Sequence, residues 1–178
     1  KVFNNIMKCV FLLMMCFSFF SSFAGNYVVS KPAGNSWPCG NSVEGTLSYA
    51  LFQANNNPGP HTVTFTTPTV KWENPACFGI TGDDITIIGG GVKITAPGSN
   101  FLTISGDRTK MQGVEIVGLG SMTINMTGVD IVIEDCVFTD GKYNLGASTV
   151  MRNNIINGIG AIVGLGNGVL LQGNYWEG

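Results

Sequence analysis

Asp135 and Arg152 are the residues of this 178-residue chain whose types and placing best suit catalysis, a carboxylate and a permanent cation at matching places in neighbouring repeats. If the repeats stack about 4.8 Å apart, the simpler reading of the two is a cross-rung ion pair on a solvated surface. Asp83, Asp84, Asp130, Glu134, Asp135 and Asp140 offer oxygens to a hard cation. Ca2+ asks for about six to eight of them, so a site needs several of these acids to converge; otherwise they are solvated loop carboxylates and the chain holds no metal. Outward acids on adjacent rungs, such as Glu115 and Asp135, could reach the separation of about 6.5–9.5 Å used in inverting glycoside hydrolysis, as many surface pairs would.

Two rings, Tyr143 and Trp176, are candidates for stacking on a sugar. Alternation along a strand turns Trp176 outward if Tyr175 points inward. The single histidine, His61, stands in the Pro60-His61-Thr62 turn without a serine or cysteine partner in a motif and reads as a loop residue. Arg108 belongs to Ser105-Gly106-Asp107-Arg108, a turn sequence. Cys136 has no histidine near it in sequence and reads as a small buried filler. No phosphate loop, dinucleotide fingerprint, serine elbow or zinc-type Cys/His spacing is present.

A repeat must position these side chains. Five segments, Ile87–Val92, Met111–Ile116, Ile133–Phe138, Val150–Ile155 and Leu170–Tyr175, begin and end on an apolar residue at intervals of 24, 22, 17 and 20 residues. In a straight strand the first and sixth residues face opposite sides, so both can point inward only if a corner separates them. Gly89, Gly90, Gly91, Gly113, Asp135, Asn153, Asn154, Gly173 and Asn174 supply that corner, being types that tolerate left-handed backbone or bond their own main chain. Strand, corner, strand at this period predicts an all-β chain, a right-handed parallel β-helix. Val63, 24 residues before Ile87, marks an earlier rung, so the coil is expected over 63–178. The segment stops directly after a rung motif, and a longer natural product is expected, because a finished solenoid closes its last coil.

Residues 1–24 read as a secretion signal: Met7-Lys8, an uncharged run from Cys9 to Phe20, and small residues at Ser22 and Ala24. The apolar stretch Cys9–Ala24 has 16 residues, short of the roughly 20 that span a bilayer, so no membrane span is expected after its removal. Secretion or a cell-surface location follows, and with it an oxidising compartment in which Cys39 and Cys77 could pair. A net charge of −2 leaves no basic footprint for nucleic acid. Residues 25–62 form a lead-in segment with one amphipathic helix between Asn41 and Asn57, its stripe Leu47, Ala50, Leu51 and Ala54 placed to plug the first coil.

The run Gly45-Thr46-Leu47-Ser48-Tyr49-Ala50-Leu51-Phe52-Gln53-Ala54-Asn55-Asn56-Asn57-Pro58-Gly59-Pro60-His61-Thr62-Val63-Thr64-Phe65 resembles the N-terminal motif of secreted bacterial proteins with pectate-lyase-like parallel β-helices. Ser48 stands where that motif has Arg and His61 where it has Asp, so an ion pair between those two places is absent here. The resemblance implies fold and export; such coils serve lyases, hydrolases and adhesins alike. The expected function is an exported surface protein, a monomer without cofactor, whose partners are extracellular polysaccharide or cell-envelope components. The competing expectation is a polysaccharide lyase or glycoside hydrolase with part of its catalytic rungs elsewhere. A lyase of this type would need clustered carboxylates for Ca2+ beside a Lys or Arg base.

Overall fold

The computed structural model describes residues 24–32, 43–72, 79–95, 101–117 and 123–177. The expected signal sequence, apart from Ala24, and the cysteines Cys39 and Cys77 lie outside the described residues. The chain winds into a parallel β-solenoid of about four turns with one short helix, as the repeat predicts.

Three faces wrap one core. The first stacks β1 (Gly25–Val29), β2 (His61–Phe65), the openings of β5 (Ile85–Thr95) and β7 (Lys110–Val117), then β9 (Val132–Glu134), β11 (Val150–Arg152) and β13 (Leu170–Gln172). The second stacks β3 (Thr69–Lys71), the later halves of β5 and β7, the openings of β10 (Val137–Leu145) and β12 (Ile155–Leu165), and β14 (Tyr175–Glu177). The third stacks β4 (Gly79–Ile80), β6 (Phe101–Ile104), β8 (Thr123–Met126) and the later halves of β10 and β12.

The corner between the first two faces sits where the sequence placed it. Gly90, Gly113, Asp135, Asn153 and Gly173 all have positive φ, between 53° and 64°, and in the first rung Gly91 follows at 87°, so each corner turns through left-handed backbone at residues of a type that accepts it. Asn154 and Asn174 follow that residue and tie rung to rung. Asn154 Oδ1 accepts from the Cys136 backbone N–H at 3.0 Å, and its Nδ2 donates to Ile133 O at 3.1 Å and to Asn174 Oδ1 at 2.9 Å. Asn174 Nδ2 donates in turn to Met151 O at 2.8 Å. These two amides, that of Asn154 buried and that of Asn174 partly so, satisfy main-chain groups that the bend takes out of the ladder.

Strand register corrects the repeat alignment. The inward column of the first face is Ile87, Met111, Ile133, Met151 and Leu171, so the last two rungs are shifted one residue from Val150 and Leu170 and the short interval becomes 18. On the second face the inward column is Ile94, Ile116, Phe138, Ile156 and Trp176. The sixth residues of two rungs, Ile155 and Tyr175, therefore point outward, while Val92, two residues before Ile94, is buried as expected. Rungs differ in length at their corners, as in the register shift between Ile88 and Val92, and a one-residue slip reverses which side chains point inward.

The helix is shorter than the sequence pattern suggested. Val43 to Thr46 form a turn, in which Gly45 takes φ +87°, and α1 runs over Leu47–Asn56. Thr46 is its N-cap: its hydroxyl accepts from Tyr49 N–H at 3.3 Å and donates to Val43 O at 2.8 Å. Asn56 and Asn57 close the other end by donating to Phe52 O and Gln53 O, each at 2.7 Å. Leu47, Ala50, Leu51 and Ala54, the expected stripe, are buried and join the same core as Val29, Val63 and Ile85. The helix covers the first coil, which would otherwise leave that apolar layer in water.

Candidate ligand-binding face

Outward side chains of the second face form two columns. One reads Lys93, Glu115, Val137, Ile155 and Tyr175; the other Thr95, Val117, Thr139, Asn157 and Glu177. Lys93 Nζ and Glu115 Oε1 pair at 3.1 Å, and beyond them the first column is apolar. Ile155 is 41% exposed and Tyr175 60% exposed. Ile155 has a rung on either side of it in the stack, so its exposure comes from its outward direction. Tyr175 extends the same line. A ring beside a branched aliphatic, flanked by exposed Glu177 and by Asn157, whose Oδ1 is buried, gives a narrow amphipathic strip suited to the apolar face and hydroxyl edge of a ligand.

The sugar-stacking candidates lie elsewhere. Tyr143 is fully buried. Its ring packs edge-on against Phe138 and Trp176 at centroid distances of 5.9 and 6.0 Å, its hydroxyl has no hydrogen-bond partner, and burial pushes its titration upward. Trp176 occupies the inward column above Ile156, which reverses the alternation read from the sequence and makes Tyr175 the outward ring. Tyr143 is thus a core residue, and Trp176, 40% exposed, packs against its ring from the inward column.

The charged residues of the first face are held by one another. Arg152 is in register with Glu134, not Asp135. Its Nε donates to Glu134 Oε2 at 2.5 Å, and its Nη2 pairs with the same oxygen while Lys110 Nζ reaches Oε1 from the rung before. The Glu134 side chain is only 6% exposed. Lys110 above all, and Arg152 with it, hold its carboxyl below the usual carboxylate range against the opposing effect of burial. Asp135 sits at the left-handed corner and accepts from Gln112 Nε2 at 3.3 Å; it meets Arg152 through its backbone N–H, which donates to Arg152 O at 3.2 Å. An ionised acid clamped by two cations is a poor proton donor, and a guanidinium clamped to that acid is a poor base.

At the next corner Arg108 clasps Asp84 with two donors, Nε to Oδ1 at 2.6 Å and Nη2 to Oδ2 at 2.9 Å. That contact lowers the Asp84 titration and raises that of Arg108. Asp83 Oδ1 and Asp107 Oδ1 accept from the backbone N–H groups of Asp107 and Val129, at 2.9 and 2.8 Å. The acids considered for Ca2+ are in these structural roles or apart, and among the described residues no three His, Cys, Asp or Glu side chains converge on one point. A groove of about 490 Å³ passes between this corner and the Asn55–Gly59 turn. A second, of about 630 Å³, lies between β1 and α1 beside Tyr27, Lys31, Glu44 and Tyr49.

His61 is a core residue rather than a loop residue. It opens β2, is buried, accepts from Gly25 N–H on Nδ1 at 3.0 Å and places Nε2 2.9 Å from Asn57 O. Those two contacts fix the neutral tautomer with the proton on Nε2. Cys136, as expected, is buried filler; burial pushes its thiol up to about 11, away from the thiolate a nucleophile requires. Among the described residues no helix is long and apolar enough to cross a membrane. Comparison of the chain with protein-family models, with curated proteins and with solved structures found no match in any of the three.

Proposed function

We propose that this chain belongs to an exported β-helix protein that presents the second face of its coil to extracellular polysaccharide or to a cell-envelope partner, without catalysing a reaction on it. The observation that carries the reading is the outward line of Ile155 and Tyr175 beside Asn157 and Glu177, apolar and polar in parallel strips. The Met7–Ala24 sequence supports export. The Gly45–Phe65 motif, together with the capping helix and the parallel coil, supports kinship with secreted bacterial pectate-lyase-like helices.

A polysaccharide lyase or glycoside hydrolase is the competing reading, and the side chains it would use here are committed elsewhere. Arg152 and Lys110 both close on the single carboxylate of Glu134, and Asp84 and Arg108 pair with each other. Glu115 pairs with Lys93 and lies in a different outward column from the corner residue Asp135. The test is to incubate the purified protein with polygalacturonate and other uronans, with and without Ca2+, while following the ultraviolet absorbance of unsaturated products, and to measure its retention on a panel of immobilised polysaccharides. Retention without product is the expected result. Absorbance that grows with protein concentration would replace this reading with the lyase, and absence from every polysaccharide would remove glycan binding.

A further inference from the structure

We infer that the ligand of the second face is a neutral glycan and not an acidic one; the inference rests on the reading of that face as polysaccharide-binding and names its substrate class. A uronate or sulfated sugar needs an available cation close to the ring it stacks on. Around Tyr175 and Ile155 the in-register neighbours are Val137, Thr139, Asn157 and Glu177, with no cation among them. Lys93 lies four rungs from Tyr175 in the same column, about 19 Å at 4.8 Å per rung, and is paired with Glu115. Lys71 is one rung farther still, in register with Thr95. Lys110 and Arg152 belong to the first face, where both are drawn toward the single carboxylate of Glu134 and away from the strip. Lys142 stands past the Asp140–Gly141 corner, on the third face, in register with Thr123 and Ala161.

The charge that does border the strip is negative. Glu177 follows Trp176 on β14 and makes no ion pair among the described residues, and Asp140 ends the same face at its corner with φ 60°. An acidic polymer laid along Tyr175 and Ile155 would bring its carboxylates against Glu177 and Asp140, with no cation among the described residues of the strip to offset the repulsion. A neutral polymer reverses the sign of the same contacts. Its hydroxyls donate to the Glu177 carboxylate in charge-assisted hydrogen bonds, and its axial C–H face lies on the Tyr175 ring and the Ile155 side chain.

Affinity gel electrophoresis of the full chain tests this, with hydroxyethylcellulose and galactomannan as neutral polymers and polygalacturonate as the acidic one, at low and at high salt. The neutral polymers are expected to retard the protein equally at both salt concentrations, because no net charge pairing is screened. Tyr175→Ala is expected to weaken that retardation about tenfold or more, the loss of roughly 1.4 kcal/mol or more of binding free energy, with an unchanged melting temperature. Glu177→Lys supplies the missing cation and is expected to bring polygalacturonate into binding. Retardation of the wild-type protein by polygalacturonate as strong as by the neutral polymers overturns the inference and leaves glycan binding standing. Retardation by none of the polymers overturns the polysaccharide reading itself. Neutral binding untouched by Tyr175→Ala overturns the placing of the site.

Discussion

The rung beneath α1 and the rung of β13 and β14 bury their inward side chains to different extents. At the first coil, Leu47, Ala50, Leu51 and Ala54 of α1 lie over the core and all are buried. At the rung of β13 and β14, Leu171 and Trp176 stand in the inward columns of Met151 and Ile156, both fully buried, yet are 42% and 40% exposed. An inward direction therefore becomes burial only where another layer covers it. The same comparison separates two kinds of exposed apolar residue. Leu171 and Trp176 stand in inward columns, whereas Ile155 and Tyr175 point away from the core.

The largest effect is expected at the capped end. Leu51→Ala removes a fully buried side chain from the helix–coil contact and should cost about 2–5 kcal/mol by chemical denaturation; a loss under 1 kcal/mol would mean that α1 does not seal the core. Between the ends, Glu134 asks whether the outside of the coil contributes stability at all. Its carboxyl titrates below the usual range in the folded chain, so its contribution is present above the unfolded value near pH 4.3 and is lost as pH falls through the folded one. Glu134→Gln should lower stability at pH 7 by roughly 1–3 kcal/mol, the scale of hydrogen bonds to charged groups, and should flatten the acid limb of the stability–pH curve. An unchanged acid limb would assign that limb to other carboxylates.

Much of this was legible in the sequence. The period of apolar pairs, the Gly, Asp and Asn corners and the apolar stripe of the helix were visible because each is a local consequence of backbone conformation: Asp135 and Asn153 take positive φ where the pattern asks for a corner. Register was not legible, because rung length varies at those corners and only stacking reveals the variation. One-residue shifts at Met151, Leu171 and Ile156 carried Arg152 from Asp135 to Glu134 and exchanged the directions of Tyr175 and Trp176. Tyr175 was thus missed as the outward ring. The available signal was the alignment of Asn154-Ile155-Ile156 with Asn174-Tyr175-Trp176, where the buried corner Asn fixes the count to the next inward residue. His61 was missed as a core residue because its partners, Gly25 N–H and Asn57 O, are main-chain groups from two other segments.

The claim that matters most is that the outward column recognises ligand while the inward column holds the fold, and neighbouring rings of β14 test it within one strand. Tyr175→Ala and Trp176→Ala are to be compared for polysaccharide retention and for melting temperature. Tyr175→Ala should weaken retention about tenfold or more with an unchanged melting temperature, while Trp176→Ala, losing the edge contact with Tyr143, should destabilise the fold by about 2 kcal/mol, less than a fully buried tryptophan, with retention kept. Loss of retention in Trp176→Ala alone, with Tyr175→Ala binding as the wild type does, would contradict the register and the binding face together.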